Sequence, residues 1–319
     1  MHKFGFPFLY AFGTSIILIS FLLWIGGKYN FSKVVRRFGG LVVILVFGLF
    51  VLIDKNLIIT KPIMGILVGG LLILIFGLWD DLKNISWKWQ LLFQIIIALV
   101  AISFGVRSGY ITNPLGGIIL LTSPVIYTIL YTLYYILFIN ALNWLDGIDG
   151  LSGSVTLVTL GIISFLSLLP HVNQPAVAIL CAIAGGTILG FLVFNWHPAK
   201  IIAGTAGAWF FGFLLASLSI FAGAKVATVL MVALIPILDL VRVVYERYQA
   251  GQSVFLRDSR HLQFKLLKLG LGEAQIAFMI ASASILIGMI ALNVSAAGKL
   301  AFMIFFSVSY FWIIRVIGD

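Results

Sequence analysis

The sequence from Pro62 to Trp79 reads PIMGILVGGLLILIFGLW, and Asp80-Asp81 follow it directly. An apolar run of this length, without a charge, can cross the hydrocarbon core of a bilayer as one α-helix. Two adjacent carboxylates at the end of such a helix repel one another unless a cation or strong hydrogen-bond donors lie between them. The stretch therefore predicts a transmembrane helix with a polar site at one end, although two solvated acids that mark a helix end would give the same pattern.

The composition of the whole chain agrees with a membrane protein. Of the 319 residues, 62% are hydrophobic and only 9% are charged, and the mean hydropathy is +1.18. A water-soluble domain needs roughly a quarter of its residues charged, so this class is excluded. The single cysteine, Cys181, excludes an intrachain disulfide.

Ten further apolar segments have similar lengths and are bounded by charges, Pro or Gly. We therefore predict an all-α, polytopic integral membrane protein with about 11 transmembrane helices, forming a single domain over residues 1–319. An odd number of spans places the two termini on opposite sides of the membrane. The predicted spans are Phe6–Ile25, Gly39–Ile53, Pro62–Trp79, Trp89–Val106, Pro124–Leu145, Leu151–Leu169, Pro175–Phe194, Ala206–Ala222, Val226–Tyr245, Ala274–Leu292 and Leu300–Ile317.

The charged residues divide unevenly between the two sides that these spans define. Fourteen Lys and Arg residues fall on one side and six on the other. Because Lys and Arg accumulate in cytoplasmic loops, the N-terminus is predicted outside and the C-terminus in the cytoplasm. The same bias explains most of the net charge of +10 without nucleic acid as a partner. Eight of the ten acids also border the cytoplasmic side, which predicts a cytoplasmic active site built from several loops.

A second polar cluster extends from Asn140 to Gly150 and reads NALNWLDGIDG. Its residues Asn140, Asn143, Asp146 and Asp149 recur at every third position and therefore follow one side of a helix. Oxygen ligands on one face suit a hard divalent cation or the hydroxyl groups of a polar substrate. A helix end capped by Asn, Asp and Gly would explain one or two of these residues but not the spacing of all four.

A third cluster, from Phe194 to Ala208, joins two predicted spans and reads FNWHPAKIIAGTAGA. A Gly-containing loop that begins a helix presents free N–H groups to phosphate oxygens, and Lys200 adds a cation. Glycines that serve only close helix packing would give the same pattern. His197 is interpreted as a loop histidine rather than a ligand.

The longest predicted polar loop, Arg242 to Glu273, contains Arg257, Arg260 and His261. Guanidinium groups offer bidentate donors, so this density of Arg fits recognition of a diphosphate. A basic segment that contacts anionic lipid headgroups is the alternative, and the two roles are compatible. Asp239 is interpreted as a support for this loop.

In this order, the four clusters resemble the polyprenyl-phosphate N-acetylhexosamine-1-phosphate transferases of glycosyltransferase family 4. This family includes the phospho-N-acetylmuramoyl-pentapeptide transferase and the undecaprenyl-phosphate N-acetylglucosamine-1-phosphate transferase. The resemblance extends from Arg37 to Gly270 and is most specific in the string at Asn140 to Leu151, Asn-x-x-Asn-x-x-Asp-Gly-x-Asp-Gly-Leu. The other matching motifs are Asp80-Asp81, Asn195-x-x-Pro198-Ala199-Lys200 and Asp258-x-x-His261-Leu262, the last similar to the N-acetylglucosamine branch.

The resemblance implies transfer of a sugar 1-phosphate from a UDP-linked amino sugar to a polyprenyl phosphate at the cytoplasmic face of the plasma membrane. UMP would be released, and the product would serve cell-envelope glycan synthesis. The cofactor would be Mg²⁺ or Mn²⁺. The chain could also form a homodimer. The implied catalytic residues are Asp80 and Asp81, and the implied metal ligands are Asp80, Asp81, Asp146 and Asp149. The implied substrate-binding residues are Asn140, Asn143, Asp146, Asp149, Asn195, Lys200, Arg257, Arg260 and His261.

The chain departs from the family pattern in three places. Thr205 stands where the family has an Asp that contacts Mg²⁺, and a neutral hydroxyl is a far poorer ligand. Ile202 stands where an aromatic that can stack on uracil is common, and Gln263 stands in a motif that is otherwise rich in His. A catalytically inactive relative that binds polyprenyl phosphate or nucleotide sugar is therefore an alternative. A secondary transporter is a third reading, but transporters place their ionisable residues near the bilayer midplane.

Overall fold

The computed structural model describes residues 2–29, 31–170, 172–222, 226–253 and 259–318. Within these ranges the chain is all-α apart from one antiparallel hairpin, β1 (Tyr110–Thr112) and β2 (Ile118–Leu120). The predicted fold class is confirmed. The helices are α1 (His2–Lys28), α2 (Ser32–Val35), α3 (Gly39–Ile53), α4 (Lys61–Lys83), α5 (Trp87–Ser103), α6 (Pro124–Leu145), α7 (Leu151–Leu168), α8 (Pro175–Asn195), α9 (Gly204–Phe221), α10 (Val226–Val232), α11 (Leu234–Gln249), α12 (Leu262–Lys268), α13 (Glu273–Asn293) and α14 (Ala296–Gly318).

Each of the predicted spans coincides with helical structure. Within the described ranges, eight helices are long and apolar enough to cross a membrane: α1, α4, α6, α7, α8, α9, α13 and α14. The bent pair α10 and α11 would make a ninth, whereas α3 and α5 are apolar but only 15 and 17 residues long. The chain is therefore an integral membrane protein, and the count of eleven spans remains a prediction.

The ninth span, predicted as continuous from Val226 to Tyr245, is broken. α10 ends at Val232, α11 begins at Leu234, and the two helices meet at an angle of 75°. Pro236 provides the physical reason, because it has no N–H to donate to the Val232 carbonyl and its ring would clash with that group in a straight helix. The prediction of one continuous helix was wrong at this point.

α9 lies at the centre of the bundle and packs against α3, α4 and α6. It is the most buried of the eight long helices in the described part of the chain, whereas α1 and α14 face outward over most of their surface. α4 approaches it closely at Gly77, where a Cβ atom would lie 2.4 Å from the Ala206 Cα atom. This contact brings Asp80 and Asp81, one turn beyond Gly77, to the first turn of α9.

We expect Gly77→Ala to destabilise the protein, because the added methyl group would push α4 away from the backbone of α9. Overpacking of this kind costs about 1–3 kcal/mol, so the thermal unfolding midpoint in detergent should fall. Gly161→Ala is the matched control, since no atom lies within 4 Å of a Cβ built there. Equal midpoints for the two variants would contradict the close approach of α4 and α9.

Candidate active site

The paired carboxylates lie against the first turn of α9. Asp80 and Asp81 are 1% and 8% exposed. The two oxygens of Asp81 accept the backbone N–H groups of Thr205 and Ala206, at 2.7 and 3.3 Å. N–H groups in the first turn of a helix have no partner within the helix and carry the positive end of its dipole. The start of α9 therefore stabilises the negative charge of Asp81.

Asp80 is held by donors from three directions. Its Oδ2 atom accepts the Thr205 hydroxyl at 2.6 Å. Its Oδ1 atom accepts the Gln90 side-chain amide at 2.9 Å and the Ile85 N–H at 3.0 Å. Each carboxylate oxygen of the pair thus has a hydrogen-bond donor. Gln90 was not predicted from the sequence, although a glutamine near the start of the mainly apolar α5 is a signal that could have identified it.

Gly204 allows the pair to come this close to α9. Its φ of +66° lies in the left-handed region, which favours glycine. A Cβ atom at this position would also lie 2.7 Å from the Asp81 Oδ2 atom. Arg37 closes the same corner by donating from Nη1 to the Asp81 carbonyl oxygen at 2.8 Å.

Asp149 belongs to a second group, on the turn between α6 and α7. Its Oδ2 atom accepts the Ala199 N–H at 2.9 Å and lies 3.0 Å from the His197 Nδ1 atom. Glu273 Oε2 accepts the Asp149 N–H at 2.9 Å and lies 3.6 Å from the same His197 nitrogen. The ligand atoms of Asp149, His197 and Glu273 all lie within 4.8 Å of one another. Among the described residues, no other three His, Cys, Asp or Glu side chains come together in this way.

This second group differs from what the sequence indicated for its members. His197 was interpreted as a loop histidine, and Glu273 was predicted only to border the cytoplasmic side. The structure places both beside Asp149. No local pattern connects these residues, because they come from three segments that meet only in the folded chain.

Asp146 lies close enough to Asp81 of the first group and Asp149 of the second for both charges to act on it. Burial is the main cause that raises the pKa of Asp146 to about 7, and the two neighbouring carboxylates add to the rise. The Ser152 hydroxyl donates to Asp146 Oδ1 and opposes it. A carboxyl group with a pKa near neutrality can gain or lose a proton at physiological pH, which is typical of functional sites.

Asn195 joins the two loops that carry these residues. It is 3% exposed. Its Oδ1 atom accepts the Gly150 N–H at 3.1 Å, and its Nδ2 atom donates to the Ile201 carbonyl at 2.9 Å. Both ends of its amide are therefore used within the protein, and Asn195 positions the loops around the site.

The other predicted polar residues lie in different surroundings. Asn140 donates from Nδ2 to Gln94 Oε1 at 2.7 Å and so joins α6 to α5. Asn143 is partly exposed on α6, and Lys200 is exposed. Arg257 lies outside the described residues.

His261 is buried in a network centred on Asp239. Its Nδ1 atom lies 2.7 Å from Asp239 Oδ2, and its ring meets Trp144 edge-on with 5.2 Å between centroids. Asp239 Oδ1 also accepts Arg242 Nη2 at 2.7 Å and the Tyr310 hydroxyl at 3.1 Å. Asp239 thus supports the loop that follows α11 and fixes His261 beside the end of α6.

Arg260 is attached to the same network by its backbone. Its carbonyl oxygen accepts Arg242 Nη2 at 2.6 Å, while its own Nη2 atom donates to Gln252 Oε1 at 2.5 Å. The guanidinium therefore projects toward the loop rather than toward Asp239.

The sequence model of glycosyl transferase family 4 matches residues 63–223, about half of the chain. The chain belongs to glycosyl transferase family 4. The matched range begins in α4 and extends just past α9, so it contains the paired carboxylates, the turn with Asp146 and Asp149, and Thr205.

Individual relatives of this family 4 chain agree with the resemblance that the motifs indicated. It is 27% identical to the decaprenyl-phosphate N-acetylglucosaminephosphotransferase of Mycobacterium leprae over 252 residues, which cover 72% of the chain and 63% of that relative. It is 26% identical to a probable undecaprenyl-phosphate N-acetylglucosaminyl 1-phosphate transferase of Bacillus subtilis over 250 residues, 76% and 68% of the two chains. A phospho-N-acetylmuramoyl-pentapeptide-transferase of Geobacillus sp. is 32% identical over 97 residues, 30% of each chain. The chain thus spans less than two thirds of the length of the mycobacterial relative.

We expect Asn195→Leu to loosen both loops, because it leaves the Gly150 N–H and the Ile201 carbonyl without partners. Each unsatisfied buried group costs about 1–3 kcal/mol. The unfolding midpoint should fall, and trypsin should cleave after the exposed Lys200 faster than in the unaltered protein.

The control for this experiment is Asn293→Leu, which removes one exposed hydrogen bond to the Met289 carbonyl at the far end of α13. It should change neither the midpoint nor the cleavage rate by a comparable amount. Similar effects in the two variants would show that Asn195 does not hold the loops.

Proposed function

We propose that the protein is a phosphoglycosyl transferase. It transfers an N-acetylhexosamine 1-phosphate from a UDP-sugar to a polyprenyl phosphate, releases UMP and serves cell-envelope glycan synthesis. The observation that carries the proposal is the contact of Asp80 and Asp81 with the first turn of α9, with two further carboxylates, Asp146 and Asp149, on the neighbouring α6–α7 turn. All four lie within the range that family 4 matches. The names of the relatives, which are polyprenyl-phosphate N-acetylglucosamine phosphotransferases, support the same reaction.

The two carboxylates of the pair have different tasks in this proposal. Asp80 accepts the proton of the polyprenyl phosphate, whose oxygen attacks the β-phosphorus of the UDP-sugar, and UMP leaves. Hydrogen bonds from Gln90 and Thr205 keep the Asp80 carboxylate in one orientation, which is what a positioned base requires. Asp81 holds the pair against α9, whose N-terminal dipole favours the negative charges of the phosphates.

The polar loops bind the nucleotide sugar in this proposal. Asn143, Asp146, Asp149, Lys200, Arg257, Arg260 and His261 contact the nucleotide or the diphosphate. Asn140 and Asn195 act through the helices and loops that they hold, because their amides already bond to protein groups. The aromatic contact to uracil that the family commonly makes is replaced by packing on the aliphatic Ile202.

We assign a divalent cation, Mg²⁺ or Mn²⁺, to the carboxylates Asp80, Asp81, Asp146 and Asp149. The donor chemistry fits, because carboxylate oxygens are preferred ligands of both ions and His197 beside Asp149 adds a nitrogen that suits Mn²⁺. When bound, the ion offsets the charge of the diphosphate. Since Thr205 and α9 already hydrogen-bond the Asp80-Asp81 pair, these carboxylates would hold the ion only when the diphosphate is also bound.

The same proposal includes the membrane orientation. The Lys and Arg distribution supports a site on the cytoplasmic face of the plasma membrane, with the N-terminus outside and the C-terminus inside. A homodimer stays a prediction.

Purified protein in detergent, given Mg²⁺, a polyprenyl phosphate and a panel of UDP-amino sugars, should release UMP. Asp80→Asn should lower this rate by about 10²-fold or more, because it removes the base. Asp54→Asn, which alters an acid in the loop after α3, is the matched control and should leave the rate unchanged.

Other outcomes would favour the alternatives. No release with any donor, together with release by Thr205→Asp, would identify an inactive relative of the transferases. Thermal stabilisation by polyprenyl phosphate or UDP-sugar without turnover would indicate a binding protein. Solute uptake into proteoliposomes driven by an ion gradient would indicate a transporter.

A further inference from the structure

A cavity of about 530 Å³ opens between α11, α12 and α14. None of the four carboxylates assigned to the reaction lines it. Three basic side chains from the three helices meet there, with one acid and with exposed aromatic residues that include a tyrosine and a tryptophan. These lining residues are Arg242, Lys265, Arg315, Glu246, Tyr245 and Trp312.

The charges in this cavity are not balanced. Arg242 is 2% exposed and is held by two acids, Asp239 at 2.7 Å and Glu246 at 2.6 Å. Both acids near the cavity are therefore already paired. Among the described residues, neither Lys265 nor Arg315 has a carboxylate within ion-pair distance. Within the described residues, the positive charges of Lys265 and Arg315 therefore face the cavity without a carboxylate partner.

The surroundings of the cavity are those of a membrane–water boundary. Trp312 and Tyr245 are 67% and 55% exposed, and amphipathic aromatic rings at this level mark the headgroup region of a bilayer. Arg315 lies in the last turn of α14. About two to three turns before Arg315, α14 exposes Phe305 and Val308, an apolar surface along which acyl chains can lie.

We propose that this cavity binds the phosphate of an anionic glycerophospholipid, with Lys265 and Arg315 as donors. Basic pockets between membrane helices are suited to such headgroups. The polyprenyl phosphate acceptor fits less well, because a phosphate seated here would have none of the assigned carboxylates along its walls. This inference does not depend on the transferase reaction.

The position of Arg242 gives the bound lipid a structural consequence. Arg242 forms one wall of the cavity and donates to Asp239, which in turn holds His261. A phosphate that pairs with Lys265 and Arg315 joins α12 to α14 on either side of this network. The lipid thereby stabilises the loop that carries His261.

Native mass spectrometry of the full chain measures lipid binding directly, with phosphatidylglycerol titrated into detergent-solubilised protein. Lys265→Gln/Arg315→Gln should weaken phosphatidylglycerol binding about 30-fold, since each Lys or Arg near an anionic surface contributes about 1 kcal/mol. Lys83→Gln/Lys88→Gln is the matched control, because it removes two charges near the loop between α4 and α5. The control should bind as the unaltered protein does.

Three results would overturn the proposal. The first is equal binding by the two double variants. The second is that phosphatidylcholine binds as tightly as phosphatidylglycerol and that both bind equally less tightly to Lys265→Gln/Arg315→Gln. This result would show that the cavity recognises a headgroup without a net charge. The third is displacement of phosphatidylglycerol by polyprenyl phosphate one for one, which would assign the cavity to the acceptor. If Lys265→Gln/Arg315→Gln unfolds, the charge-conserving variant Lys265→Arg/Arg315→Lys is tested in its place. It should bind phosphatidylglycerol as tightly as the unaltered protein does, and weaker binding would overturn the proposal.

Discussion

Two carboxylates can be buried side by side only if donors meet their oxygens, because an uncompensated charge in a low-dielectric interior is very costly. In this protein the first turn of α9 meets that requirement for Asp81, and the Thr205 hydroxyl and Gln90 amide meet it for Asp80. The rest of the site is arranged around this contact. It explains why α4 and α9 approach through Gly77, and why a left-handed glycine begins α9.

The acids of the α6–α7 turn are placed relative to the pair by a second set of contacts. Asn195 connects the turn that carries Asp146 and Asp149 to the loop that leads into α9 and Thr205. The raised pKa of Asp146 is one consequence, since burial and the charges of its neighbours both favour the protonated form. A diphosphate with its cation would enter a site whose backbone donors and carboxylates are already in position, which is the arrangement that electrostatic catalysis requires.

The sequence was sufficient to predict the all-α membrane fold class, because lipid exposure demands long apolar runs, and it marked the polar segments because acids persist there only with partners. The sequence did not reveal which protein groups are the hydrogen-bond partners of these polar side chains. The i+3 spacing at Asn140 and the family motif at Asn195 marked both residues as substrate-binding, but whether an amide meets substrate or protein depends on segments far away in the chain. Gln90 was missed for the same reason. Pro236 was visible in the sequence, yet the 75° bend it permits depends on how α10 and α11 pack.

We infer that hydrogen bonds from α9 and Thr205, rather than a resident cation, stabilise the paired carboxylates in the resting protein. Thermal unfolding of Thr205→Asp in EDTA and in Mg²⁺, beside the uncharged Thr205→Asn, tests it most directly. A third carboxylate next to Asp80 should lower the unfolding midpoint in EDTA, and Mg²⁺ should restore it, whereas the unaltered protein and Thr205→Asn should respond little to either condition. A Thr205→Asp variant as stable in EDTA as the unaltered protein, or an unaltered protein that itself loses stability in EDTA, would contradict the claim.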